Sequence, residues 1–249
     1  MVIVIPAGPE KSTYQINKAY IDYIADAGHV PLIAVPQNKT KELAQGKFGL
    51  LLPGGKDIDP IFYGDNNWGS HATDPEKDAF ERELFWAFFK AERPIFGICR
   101  GFQLMVREYI LKNPKTGTDL QYQQHISSHA ATSELGLSRT IPSHYVKART
   151  DLLYGGAKKK TVDFMPVNSM HHQYLHVHKD EKELEKTSMV TPTLQLTAWA
   201  TRGLGADEVG VVGEGIIFRN WGKSKIAGVQ WHPEELKDHN LLINHFGKE

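Results

Sequence analysis

The chain has 249 residues, 41% of them hydrophobic and 23% charged, which is the composition of a globular protein with a sizeable core. Its 29 basic residues balance its 29 acidic residues, so we expect neither nucleic acid nor an anionic membrane surface as a partner. A single cysteine excludes an intramolecular disulfide framework and is typical of a reducing compartment.

The first half of the chain predicts strands and helices in alternation. It starts with four β-favouring residues at 2–5, without a basic leader or a long apolar segment, so we expect a cytoplasmic protein with no membrane span. Apolar runs predict further strands at 30–35, 48–52 and 95–98, and helical periodicity predicts helices at 15–27, 39–45, 74–92 and 101–111. Such alternation predicts a three-layer α/β fold, a mostly parallel central sheet with helices on both faces.

The second half predicts a small β-rich excursion from this pattern. Residues 113–138 are rich in Gln, His and Ser, and we interpret them as a loop with little structure of its own. Strands are predicted at 144–148, 162–166, 195–200, 215–219 and 226–230, and the charge run 179–186 is interpreted as a solvated face. Because no repeat or linker divides the chain, we expect one domain over residues 1–249.

The only cysteine, Cys99, lies between an apolar run and a helix-forming stretch. Gly97 and Gly101 leave room for a sharp strand-to-helix turn, and the N-terminus of the helix favours the thiolate form of the side chain. This pattern is typical of a presented nucleophile. A lone intracellular cysteine is more often a small buried hydrophobe, however, so the assignment depends on a partner elsewhere in the chain.

A candidate partner follows the last apolar strand, in Trp-His-Pro-Glu at 231–234. Side chains two residues apart in an extended segment face the same side, so Glu234 can orient the imidazole of His232. A histidine at a strand end is by itself more often structural than catalytic. Since both candidates follow apolar runs and both are bracketed by Gly or Pro, we predict a Cys99-His232-Glu234 hydrolytic triad.

Four motifs, in this order, resemble the class I glutamine amidotransferase superfamily, and within it the γ-glutamyl hydrolases, including the γ-glutamyl-γ-aminobutyrate hydrolase type. They are Pro-Gly-Gly-Lys-Asp at 53–57, Gly-Ile-Cys-Arg-Gly-Phe-Gln at 97–103, Val-Asn-Ser-Met-His-His-Gln at 167–173 and His-Pro-Glu at 232–234. The resemblance implies a flavodoxin-like fold of the glutamine amidotransferase type. It also implies a cysteine-dependent hydrolase that cleaves γ-glutamyl amide bonds.

The resemblance implies a role for each catalytic residue. Cys99 would attack the γ-carbonyl carbon and form a γ-glutamyl thioester, while His232 moves the proton and Glu234 orients the imidazole. Backbone N–H groups of Gly55 and Arg100 would form the oxyanion hole for the developing negative charge.

Further residues receive roles outside the triad. The resemblance places Gln103 and His171 at the substrate, although a solvated helix glutamine and an ordinary loop histidine are the alternative interpretations. Asp78 and Glu81 match a family Arg-Asp-x-x-Glu helix in which Lys77 replaces the arginine, and we interpret them as scaffold. Two segments, 116–121 and 200–208, depart from the family pattern; we interpret both as loops at the substrate entrance, so the substrate stays open.

Three functions are compatible with these residues. A hydrolase requires only a small-molecule γ-glutamyl substrate and no metal or organic cofactor, because thiol chemistry with an imidazole base requires none. The same triad would serve a glutaminase subunit that passes ammonia to a separate synthase partner. The fold without activity would serve as a binding protein. A homodimer is compatible with each of these readings.

Overall fold

The structure, a computed structural model, describes residues 1–115, 119–124, 126, 129–130, 136–155, 162–201 and 209–247. The strands within these residues are β1 (Val2–Pro6), β2 (Gly8–Glu10), β3 (Thr13–Gln15), β4 (Val30–Ala34), β5 (Gly49–Leu52), β6 (Ile95–Ile98), β7 (Leu120–Gln123), β8 (His144–Ala148), β9 (Asp163–Val167), β10 (Tyr174–Val177), β11 (Met189–Thr191), β12 (Leu194–Ala200), β13 (Val211–Phe218) and β14 (Ile226–Val229). The helices are α1 (Lys18–Asp26), α2 (Thr40–Gln45), α3 (Pro75–Lys90), α4 (Arg100–Lys112), α5 (Thr150–Leu153), α6 (Glu181–Thr187), α7 (Pro233–Leu236) and α8 (Asn240–Phe246), with a 3-10 helix at Pro60–Tyr63.

One large sheet contains twelve of the described strands, nine of them in the order β4-β1-β5-β6-β14-β13-β12-β8-β9, while β2 and β3 pair with each other in a separate two-stranded sheet. The first five strands of the large sheet are parallel, and their order along the chain reads 2-1-3-4-5, the flavodoxin-like order. From β14 onward the pairings along this order are antiparallel. The predicted α/β fold is confirmed, and the β-rich excursion of the second half continues the same sheet.

Helices cover both faces of the parallel part because successive side chains of a strand point to opposite faces. Ile3, Ile5 and Leu51 pack in one buried cluster with side chains of α1 and α8. Val4 and Leu50 pack in a second cluster with side chains of α3 and α4. The sheet therefore lies between two helical layers. Among the described residues, no helix combines the length and the hydropathy that crossing a membrane requires.

The segment 113–138 differs from its prediction as a loop. Leu120–Gln123 forms β7, which pairs antiparallel with β10, and β10 in turn pairs with β13. A polar strand of this kind is stabilised by its partner rather than by its own periodicity, which is why the sequence does not reveal it. The charge run lies in α6, whose Leu184 is buried while most of its other side chains are at least partly exposed. Residues 116–118 and 202–208 of the two predicted entrance loops lie outside the described residues.

Candidate active site

Cys99 occupies a sharp turn between β6 and α4. Its backbone angles, φ 51° and ψ −108°, lie in a region that non-glycine residues rarely adopt. Its N–H donates to Val229 O of β14 at 2.9 Å, which ties the turn to the neighbouring strand. The turn therefore holds the thiol at the carboxyl edge of the parallel strands, where α/β folds bind their ligands.

Close packing of α4 on the sheet requires glycine on both sides of this turn. A Cβ atom at Gly101 would lie 2.2 Å from Leu52 O, and a Cβ atom at Gly97 would lie 2.7 Å from the backbone of Gly101. Both distances are far below a normal contact. The two glycines of the motif therefore allow the helix that starts after Cys99 to contact β5 directly.

His232 follows β14 and lies next to Cys99 at the same edge of the sheet. Its Nδ1 donates to Glu234 Oε1 at 2.6 Å, which leaves Nε2 as the nitrogen for the thiol. A Cβ atom at Gly54 would lie 2.9 Å from Cε1 of His232 and 3.5 Å from the Cβ of Cys99, so both side chains converge on this glycine. Burial lowers the pKa of His232, but its interactions with the side chains of Cys99 and Glu234 raise it to about 10.

Two further residues, which the sequence analysis did not assign, position His232. The side chain of Asn168 accepts from His232 N at 2.9 Å and donates to His232 O at 3.0 Å. The hydroxyl of Tyr20 accepts from Gly54 N at 2.9 Å and lies 3.4 Å from His232 Nδ1. Asn168 could have been recognised from the sequence because it lies in the motif at 167–173. For Tyr20 the sequence predicts only an apolar position of α1.

One cavity of about 270 Å³ brings together the predicted nucleophile, oxyanion donors and substrate contacts: Gly55, Cys99, Arg100, Gln103 and His171. Gln103 is buried, and its Nε2 donates to Gln173 O at 3.0 Å and to Gln230 Oε1 at 3.3 Å. Its amide is therefore fixed by the protein at the cavity wall. A larger groove of about 790 Å³ between α2 and α3 contains none of these residues, so we assign no chemistry to it.

Buried charged side chains contact Arg100, which lines the cavity. The guanidinium of Arg100 contacts the carboxylates of Asp78 and Glu81 on α3, and these carboxylates raise its pKa in spite of burial. Lys77, also on α3 and buried, donates from Nζ to Gly54 O at 3.2 Å. The Arg100 side chain is thus part of a buried ion-pair network, while its backbone N–H belongs to the first turn of α4.

Among the residues that the structure describes, two groups of side chains have ligand atoms within 4.8 Å of one another and could hold a metal ion: Asp57, His71 and His172 at the cavity, and His129, His144 and Glu214 in the interior. The Nε2 atoms of His129, His144 and His171 lie 3.4, 3.3 and 3.6 Å from Glu214 Oε1. Burial raises the pKa of Glu214, but these imidazoles lower it well below its usual range. Asp57 Oδ2 accepts from His172 Nε2 and from His71 N, each at 2.7 Å. Asp57 and Glu214 each thus have an imidazole of the protein as a hydrogen-bond donor.

The fold and this arrangement of motifs define a class I glutamine amidotransferase-like protein. The glutaminase domain of Trypanosoma brucei CTPS with bound acivicin superposes with a TM-score of 0.58, over 100% of this chain and 94% of that one. At 12% sequence identity this similarity shows the fold alone. Residues 7–234 match the Peptidase C26 family, and the chain belongs to this family of hydrolases.

Curated relatives cover most of the chain. A γ-glutamyl-γ-aminobutyrate hydrolase of Escherichia coli O157:H7 is 29% identical over 230 residues, 90% of this chain and 80% of the relative. A protein of Lactococcus lactis described as glutamine amidotransferase-like is 28% identical over 241 residues, 90% of this chain and 85% of the relative. The family resemblance read from the sequence is confirmed.

Proposed function

We propose that the protein is a cysteine hydrolase that cleaves γ-glutamyl amide bonds through a thioester on Cys99. The observation that carries this proposal is the contact of Cys99, which lines the 270 Å³ cavity, with His232, whose Nδ1 in turn donates to Glu234. The name of the Escherichia coli relative supports the choice of a γ-glutamyl amide as substrate.

Acylation starts with the thiolate–imidazolium pair of Cys99 and His232. The sulfur attacks the γ-carbonyl carbon, and the carbonyl electrons move to the oxygen to form a tetrahedral oxyanion. His232 Nε2 then gives its proton to the departing nitrogen, the C–N bond breaks, and the free amine leaves a γ-glutamyl thioester. Glu234 holds Nδ1 throughout and stabilises the imidazolium.

Backbone donors stabilise the oxyanion in this proposal. Arg100 is the first residue of α4, where backbone N–H groups have no acceptor within the helix. Gly55 lies on the same cavity wall and supplies the second N–H. Water then attacks the thioester while His232 accepts a proton, the C–S bond breaks, and glutamate is released with the thiolate restored.

Incubating the purified protein with a panel of γ-glutamyl amides, including free glutamine, tests the proposed function. Mass spectrometry should detect glutamate and a free amine from at least one conjugate without any other protein present. Hydrolysis of glutamine that appears only with a synthase partner would instead support an amidotransferase subunit. If no member of the panel is cleaved under either condition, the proposal is wrong.

The kcat/KM of the protein should stay high up to a more alkaline pH than it would if the catalytic imidazole had its ordinary pKa. Because the pKa of His232 is raised to about 10, the imidazolium persists through neutral pH and activity falls as the pH rises through that value. Glu234→Gln removes one of the charges that raise this pKa, so the alkaline limb should move to lower pH. The two profiles, measured on one γ-glutamyl amide, check this; coinciding alkaline limbs would contradict it.

Removal of metal ions should leave hydrolysis unchanged. Each carboxylate in the two histidine groups already accepts hydrogen bonds or lies against imidazoles of the protein, and the proposed steps use only protein groups and water. We expect kcat/KM after dialysis against EDTA to stay within about twofold of the untreated protein, a difference of less than ~1 kcal/mol. A loss that added Zn²⁺ restores would show that one of these groups holds a required metal.

A further inference from the structure

Lys77 is a buried lysine outside the proposed triad, in the first turn of α3. The amino-acid sequence shows only that it stands where the resembling family has an arginine. In the structure its Nζ donates to Gly54 O at 3.2 Å and lies 3.7 Å from Glu81 Oε1. Burial lowers its pKa even though Glu81 opposes this, so keeping an ammonium here carries a desolvation cost. An apolar side chain could fill the same space without this desolvation cost.

The bond from Lys77 fixes the orientation of one peptide group. The carbonyl of Gly54 and the N–H of Gly55 belong to the same planar trans peptide and point in opposite directions. A bond that holds the carbonyl toward α3 therefore turns the N–H away from α3. The preceding N–H, that of Gly54, is held by the hydroxyl of Tyr20 at 2.9 Å. Gly54 is thus held at both its N–H and its carbonyl.

We propose that Lys77 is a positioning residue that locks the Gly54–Gly55 peptide with its N–H directed into the cavity of Cys99. A glycine pair can otherwise rotate this peptide at little cost, because glycine tolerates both signs of φ. A rotated peptide would present a carbonyl oxygen to the developing negative charge instead of a donor. Lys77 thereby keeps one of the two oxyanion donors in place before substrate binds.

Glu81 extends this control to the second donor. Its Oε2 contacts the guanidinium of Arg100 while its Oε1 faces Lys77. Arg100 follows Cys99 and supplies the other N–H of the proposed oxyanion hole. The bridge from Lys77 through Glu81 to Arg100 therefore links the residue that holds Gly54 with the side chain of Arg100. Lys77 and Glu81 lie one turn apart on α3, and Arg100 is the first residue of α4.

The inference rests on the proposed function, and Lys77→Met tests it with two reactions of Cys99. The first is cleavage of the γ-glutamyl amide that wild type cleaves fastest, which passes through an oxyanion. The second is alkylation by iodoacetamide, in which sulfur displaces iodide at a saturated carbon and no oxyanion forms. We expect kcat for cleavage to fall by roughly 10- to 1,000-fold with little change in KM, because one donor is misplaced. The alkylation rate should stay within about twofold of wild type.

Lys90→Met is the matched control, since it removes an exposed lysine of the same helix and should change neither rate. Lys77→Arg should retain most activity, because it keeps a cationic donor. If Lys77→Met does not fold, Lys77→Leu replaces it, a shorter apolar side chain that has no hydrogen-bond donor. Cleavage by the tested variant at the wild-type rate, or an equal loss in both reactions, would overturn this inference. Wild-type protein that is alkylated but cleaves no γ-glutamyl amide would overturn the proposed function instead.

Discussion

Cys99→Ala is expected to lower kcat for γ-glutamyl amide cleavage by at least about 10⁴-fold while the fold persists. The substitution removes the only atom that can form the thioester. It keeps the Cβ atom and the backbone of the turn, and the deleted sulfur is small, so the free energy of unfolding should change by about 1 kcal/mol. Steady-state kinetics and a urea unfolding curve measure the two quantities separately.

Covalent labelling provides the control for this variant. A γ-glutamyl chloroketone should add once to wild type, and the adduct should map to Cys99 by mass spectrometry. Because the chain has no other cysteine, Cys99→Ala should remain unlabelled. A variant that turns over substrate at the wild-type rate would refute the nucleophile assignment, whatever the labelling shows.

Gly101→Ala is expected to destabilise the protein by at least about 3 kcal/mol, near the upper end for overpacking. Glycine to alanine in a helix normally stabilises by up to about 1 kcal/mol, so the expected effect has the opposite sign. The cause is the position of the added methyl group, 2.2 Å from Leu52 O, against a carbonyl of β5 that cannot move without the sheet. Chemical denaturation of the variant and of wild type measures the difference.

Gly64→Ala separates steric overlap from the general effect of replacing a glycine. Gly64 has a φ of 74° and nothing lies within 4 Å of the added Cβ, so only backbone strain of about 1 kcal/mol is expected. If Gly101→Ala proves no more destabilised than Gly64→Ala, the close contact between α4 and β5 is not the reason why position 101 requires glycine.

Local signals predicted the parallel half of the fold. β1, β5, β6 and β14 are short apolar runs, and each is buried in the centre of the sheet, where periodicity and propensity agree. β7 and β10 were not predicted, because each has only four residues and is stabilised by the strands with which it pairs. Their pairing joins residues that are more than 50 positions apart, which a sequence window cannot detect.

In the candidate site too, some residues were predicted from the sequence and others were recognised only in the structure. Cys99, His232 and Glu234 are predicted from the sequence because each lies in a short motif that follows a strand, although Glu234 lies in α7 and not in the extended segment that the sequence predicts. Tyr20 and Lys77 are not, because their contacts with Gly54 depend on how α1 and α3 dock against opposite faces of the sheet. Sequence therefore predicts the residues proposed to react, and the structure adds those that hold them in place.

The pairing of β6 with β14 has a consequence for how this protein can change. Ile98 lies beside Val229 in the ladder, so Cys99 and Gln230, which follow the two strands, are separated by about one interstrand spacing, ~4.8 Å, and His232 follows two residues later. Asp57, His71 and His172, by contrast, line the cavity from segments outside the strands. Divergence in such segments can redirect the choice of leaving amine in the proposed reaction, while the pairing of β6 with β14 still brings the segments that contain Cys99 and His232 to the same edge of the sheet.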